Sequence, residues 1–346
     1  MFDPNRDGEL LQPRTSQRST RMDPKQKTAY VHQFQLSVQY QLSKDYSLDI
    51  GYVGNRSRNL LFSNDIGSNG LALARNSTNQ FINSAILYTN GASANYDSLQ
   101  IQLQKRLSRN IQGQVSYTWG HAIDNSTGIF NGLGEARNGR GGPADPANLT
   151  LDRGNSSLDV RHLLSADAII DLPFGKGKRF LNSSAMADKI LGGFQVNVIE
   201  TARSGLPYSI TCSNCNGAVR PSIIGDPFAN VTAGRLLNRA AFTNNPNTYG
   251  RFVNPAGNTI FFGNLGRNTF KGPAIFNTDF SIFKNTAITE RVRTQIGIEF
   301  FNLFNHANYT VPNNNIDFND PNNGFGEIKN NAYPGRVIQY RLKLLF

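Results

Sequence analysis

The stretch at residues 30–52, YVHQFQLSVQYQLSKDYSLDIGY, decides the fold class. Its even positions are Tyr30, His32, Phe34, Leu36, Val38, Tyr40 and Leu42; after Val31 the odd ones are Gln33, Gln35, Ser37, Gln39 and Gln41. Side chains on a strand alternate between two faces, so this period of two makes one apolar and one polar face. A helix would need apolar residues every three or four positions instead. The run stops at a short polar turn, Ser43, Lys44 and Asp45, then resumes as Tyr46, Leu48, Ile50 and Tyr52 against Ser47, Asp49 and Gly51. Two such runs joined by a tight turn predict an antiparallel hairpin.

The pattern recurs outward from this hairpin. Leu99, Ile101 and Leu103 alternate with Gln100, Gln102 and Gln104. Beyond a turn at Ser108, Arg109 and Asn110, the set Ile111, Val115, Tyr117 and Trp119 alternates with Gln112, Gln114, Ser116 and Thr118. Further strands are predicted at 160–172, 194–203, 276–286, 292–304 and 337–346, which makes about nine in all. The connection PFGKGKRFLNSSAMADKILGG at 173–193 has room for a short helix. Connections alternate between short turns and long segments, the latter at 55–94, 122–158, 206–272 and 306–335. A soluble sandwich normally has short loops at both ends. Short turns on one rim and long loops on the other are the pattern of a membrane barrel, with the long loops outside the cell. Asn138 and Asn245 are therefore expected on the exterior, and Lys44 and Arg109 on the opposite side.

Composition agrees with a two-faced sheet. Hydrophobic residues are 38% of 346, with 32 Gly and 23 Phe, which is thin material for a dry core but enough for strands whose polar face meets water. The net charge of +11 raises nucleic acid as a partner. The cations are scattered, and no Lys/Arg run resembles a nucleic-acid-binding arm or recognition helix. No nucleic-acid partner is expected, and a basic lumen or anionic lipid headgroups account for the excess. No run of 18 apolar residues suggests a transmembrane helix, and nothing near Met1 has the apolar centre of a signal peptide, so the true start is expected upstream.

Chemistry was sought in the rarer residues. Cys212 and Cys215 form the single C-x-x-C, without a second Cys or His pair for zinc and without a helix-opening context for redox work. They read as a small loop disulfide or as two idle thiols. Histidines number four: His32, His121, His162 and His306. Asp159 and Ser165 stand near His162, but strand alternation puts neither on its face, so no catalytic triad is expected. The stretch GKGKR at 175–179 lacks the spacing of a phosphate loop. No catalytic, cofactor-binding or metal residues are predicted, and the chain is not expected to be an enzyme. Tyr40, Tyr46, Tyr52, Tyr117 and Trp119 are candidates for an interfacial aromatic girdle. Gln100, Gln102, Gln104, Arg161 and Asp167 are candidates for a lumen lining.

The chain ends on Phe346, and steps of two backward give Leu344, Leu342, Tyr340 and Ile338, interleaved with Leu345, Lys343, Arg341 and Gln339. The terminal strands of outer-membrane barrels are similar, with a final aromatic residue and apolar residues at alternate positions. Tyr340, Leu342, Leu344 and Phe346 are therefore read as an assembly signal, offered to the barrel assembly machinery by strand pairing.

Seven segments in order resemble the carboxy-terminal barrel region of Oar-like TonB-dependent receptors. They are YVGNRSRNLL (52–61), SYTWGHAIDN (116–125), DVRHLLSADAIIDLPFGKGKRF (159–180), ETARSGLPYSIT (200–211), FGNLGRNTFKGPAIFNTDFSIFKN (262–285), FNLFNHANY (301–309) and GFGEIKNNAYPGR (324–336). The resemblance implies an all-β, antiparallel up-and-down transmembrane barrel portion, part of a larger 22-stranded parent. Residues 1–28 would be a polar N-terminal loop and 29–346 the C-terminal part of the barrel. The implied function is outer-membrane transport by a receptor fragment that lacks the plug. Its partners would be outer-membrane lipid, an unknown substrate and, only through the missing N-terminal parts, the TonB complex. The other class in view is a cell-surface binding or adhesive β protein without a transport role.

Overall fold

The computed structural model describes residues 19–65, 85–126, 148–175, 177–180, 185–213, 215, 220–248, 250–253, 259–289 and 291–346. Nine long strands follow one another in chain order. They are β1 (Tyr30–Gln41), β2 (Tyr46–Asp65), β3 (Ala85–Ser108), β4 (Ile111–Asp124), β5 (His162–Asp171), β6 (Phe194–Arg203), β7 (Ile275–Ala287), β8 (Arg293–Phe301) and β9 (Val337–Leu345). Each pairs antiparallel with the next, from β1 at one edge of the sheet to β9 at the other. Two short strands flank this path: Ser19–Met22 lies parallel to the start of β3, and Gly154–Asn155 pairs with the end of β4.

Register carries the period of two across every strand. One row joins Tyr40, Leu48, Leu103, Val115, Ala166, Glu200 and Thr278, and its neighbour joins Val38, Ile50, Ile101, Tyr117, Leu164, Ala202 and Phe276. The opposite face carries Gln39, Asp49, Gln102, Ser116, Ser165, Thr201 and Asn277 in one row. The apolar face is bare: Leu36 is 72% exposed and Tyr340 77%. Glu200 is the one acidic residue in these two apolar rows, and its carboxylate accepts a hydrogen bond from Thr278 Oγ1 on β7.

The strands are also sheared. Tyr40 lies four residues before the centre of the β1–β2 turn, whereas Thr278, six strands along the same row, lies about twelve before the β7–β8 turn. A slip of about eight residues at 3.3 Å over six spacings of 4.8 Å tilts the strands by about 40°, the tilt that barrels require. At that tilt the apolar stretch from Phe34 to Leu42 is about 20 Å tall.

The short connections are turns at one rim. Arg109 and Asn110 join β3 to β4 with φ of 50° and 65°, the left-handed pair that matches hairpin twist. The β5–β6 connection holds the short helix α1, Ala185–Leu191.

Several loop expectations need correction. Residues 55–65 and 85–94 lie in β2 and β3, so that strand pair rises far beyond the apolar band, and β4 continues to Asp124. Above the band both faces meet water or packed loops. Alternation therefore fades there while backbone pairing continues. The described residues of 206–272 and of 306–335 fold together instead of forming plain loops. Within 1–28, Ser19–Met22 is a strand, and the following segment crosses the β2–β3 pair through Gln26 Nε2 to the Tyr88 carbonyl and Asn59 Nδ2 to the Thr28 carbonyl. Residues 1–18 and Asn138 lie outside the described residues.

Candidate functional site

The connections after β6 and after β8 build a cap over the long-loop rim. Short strand pairs tie it together: Pro207–Tyr208 with Phe270–Lys271, Thr211–Cys212 with Asn315–Ile316, and Ser222–Ile223 with Phe242–Thr243. Its apolar centre holds Ile210, Leu237, Phe242, Phe270, Ile316 and Phe325, all buried, with Phe242 edge-on to Phe325 at 5.3 Å. Cys212 and Cys215 are joined by a disulfide within this centre. Burial pushes the Tyr208 phenol well above its ordinary range.

Buried ion pairs fasten the cap to the end of β4 and to the β4–β5 connection. The Arg267 side chain, 4% exposed, donates to the Asp124 carboxylate at 2.5 Å and to the Asp124 and Asp152 carbonyls at 3.0 Å each. Arg220 pairs with Asp152 at 2.8 Å and donates to the Leu265 carbonyl at 2.9 Å. Beside Arg267, Asn268 sits at φ 51°; its Nδ2 donates to the Asn155 carbonyl at 2.8 Å, and its Oδ1 accepts from Ser209 Oγ at 2.9 Å. Backbone approaches closely here: a Cβ on Gly154 would stand 2.6 Å from the Arg267 carbonyl oxygen. Such closeness leaves room only for glycine.

Asparagine amides complete the fastening. Asn308 accepts from the Phe276 N–H and donates to its carbonyl, both at 2.8 Å, and so acts as a surrogate strand partner. Asn302, at φ 55°, accepts from the His306 N–H at 2.8 Å and donates to the His306 carbonyl at 2.9 Å. Asn305 accepts from the Arg336 N–H at 2.9 Å. The segments FNLFNHANY and FGNLGRNTF are thus the cap's anchors. Sequence reading found the segments but missed the roles of Arg267, Asn268 and Asn308. A buried partner 32 to 143 residues away leaves no local signal.

A cleft of about 450 Å³ opens in the cap between Thr232, Arg235, Asn238, Arg239 and the aromatic rings of Phe242 and Phe318. Arg235 pairs with Glu327 at 3.1 Å. Arg239 lies over the Phe318 ring at 5.8 Å, with Asn323 Oδ1 accepting from it at 3.2 Å. With Arg235 neutralised by Glu327, the cleft offers one guanidinium left unneutralised among the described residues, Arg239, beside aromatic rings, a surface able to meet a polar or singly anionic group.

The other candidate residues fall as follows. Tyr340, Leu342 and Leu344 share the apolar face of edge strand β9, with Phe346 beyond its end. Gln100, Gln102, Gln104 and Asp167 share the polar face, while Arg161 lies outside the strands and pairs with Asp159 at 3.4 Å. His162 Nδ1 is hydrogen-bonded to Tyr117 OH at 2.7 Å, and Asp159 accepts from the Ala122 N–H, so Asp159, His162 and Ser165 do not assemble. Tyr52, Tyr117 and Trp119 mark the upper part of the apolar band; Tyr40 and Tyr46 mark its lower part.

The family model described as "Outer membrane beta barrel domain" matches residues 3–339. No curated protein matches the chain. Among solved structures, the outer membrane transporter YddB of Escherichia coli is similar at 9% identity and a TM-score of 0.48, over 93% of this chain and 33% of that one. The pyoverdine outer membrane receptor FpvA of Pseudomonas aeruginosa follows at 11% and 0.44, over 92% and 30%. The siderophore receptor PiuA of Acinetobacter baumannii gives 9% and 0.44, over 91% and 28%. The chain spans about a third of the length of these structures. The fold assignment stands on strand register and the family match.

Proposed function

Because the chain belongs to the outer membrane beta barrel domain family, we propose that it forms the capped wall of a TonB-dependent outer-membrane receptor. The chain is an outer-membrane protein and not an enzyme. Its apolar face meets lipid and its polar face lines the lumen. In this reading the cap faces the cell exterior and meets substrate first, at the cleft between Arg235 and Arg239. Tyr340, Leu342, Leu344 and Phe346 serve as the assembly signal, and the Cys212–Cys215 disulfide forms in an oxidising compartment.

The observation that carries the reading is the pairing of two features at opposite ends of one sheared sheet. Short turns occupy one rim, and a folded, ion-paired cap occupies the other. A receptor needs such a cap, because loops that select a ligand must hold shape against water. An adhesive sheet would not need the cleft or the bare apolar band behind it. The test is surface labelling of intact cells. A tag at Asn245 should be reached by antibody, while tags at Lys44 and Arg109 should be hidden until the membrane is opened. Labelling of the second pair on intact cells would overturn the topology.

A further inference from the structure

The chain's net charge has a location. Along the short-turn rim, at residues 42–46, 105–111, 171–194, 284–293 and 343–346, the described residues include eleven Lys or Arg against three Asp. Lys176 and Glu290, which complete these ranges in the sequence, cancel. This rim therefore carries an excess of eight positive charges out of the chain's +11. Lys44, Arg106, Arg109, Lys189 and Arg291 are exposed, and none pairs with a carboxylate among the described residues.

Apolar side chains stand among these cations. Leu42, Leu107, Phe180, Ile190 and Ile288 are each about half exposed or more at the same rim. Three cations lie against aromatic rings along this rim: Lys105 over Tyr46 at 5.4 Å, Lys284 over Phe194 at 4.7 Å and, in the β5–β6 connection, Arg179 over Phe180 at 5.4 Å. Cations that rest their stems on apolar surface while presenting charge to water are suited to the headgroup layer of a membrane. The arrangement also continues directly from the lipid-facing band. A folded acidic protein would meet one contiguous patch, whereas these cations run the whole length of the rim, from the β1–β2 turn to β9.

We infer that the short-turn rim is a docking surface for anionic glycerophospholipid headgroups in the leaflet it touches. Phosphates there receive charge-assisted hydrogen bonds from exposed Lys and Arg, while the interleaved apolar groups enter the boundary with the acyl chains. The inference rests on the membrane-barrel reading and is independent of which rim faces the cell exterior.

The test mixes the full chain with vesicles of phosphatidylcholine alone or with phosphatidylglycerol and reads association by flotation. The wild type should partition into phosphatidylglycerol vesicles at least tenfold better, with the preference shrinking in high salt. Neutralising Lys44, Arg106, Arg109 and Arg291 to Gln should lower that preference by up to roughly fivefold per cation. The charge-retaining exchange K44R/R106K/R109K/R291K should keep it, as should the cap-side control K271Q/K329Q. Far-ultraviolet circular dichroism reports that each variant has kept its strands. Equal partition of the wild type into both vesicles, or the same loss in the cap-side control, would overturn the inference. So would cross-linking of the rim to an envelope protein in cells with the lipid preference unchanged by the Gln variants; that result would assign the rim to a protein partner. Failure to associate with either vesicle would overturn the lipid-facing reading of the apolar face itself.

Discussion

Arg267 and Tyr208 show how single residues hold the cap. Arg267 and Asp124 are both nearly solvent-free, so removing one strands the other's charge. Arg267→Ala should destabilise the cap by about 3–5 kcal/mol. Amide hydrogen exchange over residues 205–213 and 263–272 should rise accordingly, while strands β1 to β3 stay protected. Unchanged exchange in the cap would show that the pair does not hold it. Tyr208 gives a pH signature. Its phenol is raised above the ordinary value of 10.0 by burial, so the folded cap holds the proton more tightly than the open one. Cap stability is then complete below about pH 10 and declines as the pH rises above it. Proteolysis of the cap should accelerate on passing from pH 9 to 11 in the wild type, and Tyr208→Phe should abolish the increase. An equal increase in the variant would place the alkaline sensitivity elsewhere.

Among the elements, β9 is the most consequential because it is an edge. Phe346 is 95% exposed and completes the row of Tyr340, Leu342 and Leu344 on the lipid-facing side, while Leu345 has the opposite parity. Burying an aromatic ring in lipid stabilises by roughly 2–3 kcal/mol, and loss of strand recognition adds a kinetic defect. Deleting Phe346 should therefore reduce outer-membrane yield and heat-modifiable product more than Leu345→Ser does. Equal yields would remove the assembly role from this row. The β2–β3 pair teaches a different lesson. Its lower half was legible from alternation, but its upper half was not. There Ser57, Phe62, Ser63 and Ala92 are buried beneath neighbouring segments instead of dividing into a lipid and a water side.

At the scale of the whole molecule, the sheet has two edges left unpaired among the described residues, β1 and β9, and both strands run toward the short-turn rim. Joining them, within one chain or between two copies standing the same way in the membrane, would make a parallel seam in an otherwise antiparallel sheet. An all-antiparallel closure needs an odd number of intervening strands, since open edges cannot face lipid. Cysteines introduced at Leu36 and Tyr340 of the assembled protein should therefore fail to cross-link to each other. An efficient Leu36–Tyr340 cross-link would show direct closure of the nine strands.

Period-two alternation was written in the sequence wherever one face met lipid and the other water, because strand side chains alternate strictly and each environment selects its own residue type. That determined the all-β class, the nine strands, their hairpin order and the row from Tyr340 to Phe346. Segments such as FGNLGRNTFKGPAIF were visible as text without a structural meaning. The tertiary structure alone decided that the described residues of 206–272 and of 306–335 share an apolar centre, and that Arg267 reaches Asp124 and Arg220 reaches Asp152. It also brought turns far apart in the chain onto one basic rim. The physical reason is range: alternation is set by residues two apart, whereas a buried ion pair or a charged rim depends on residues that only the register and shear of the sheet bring together.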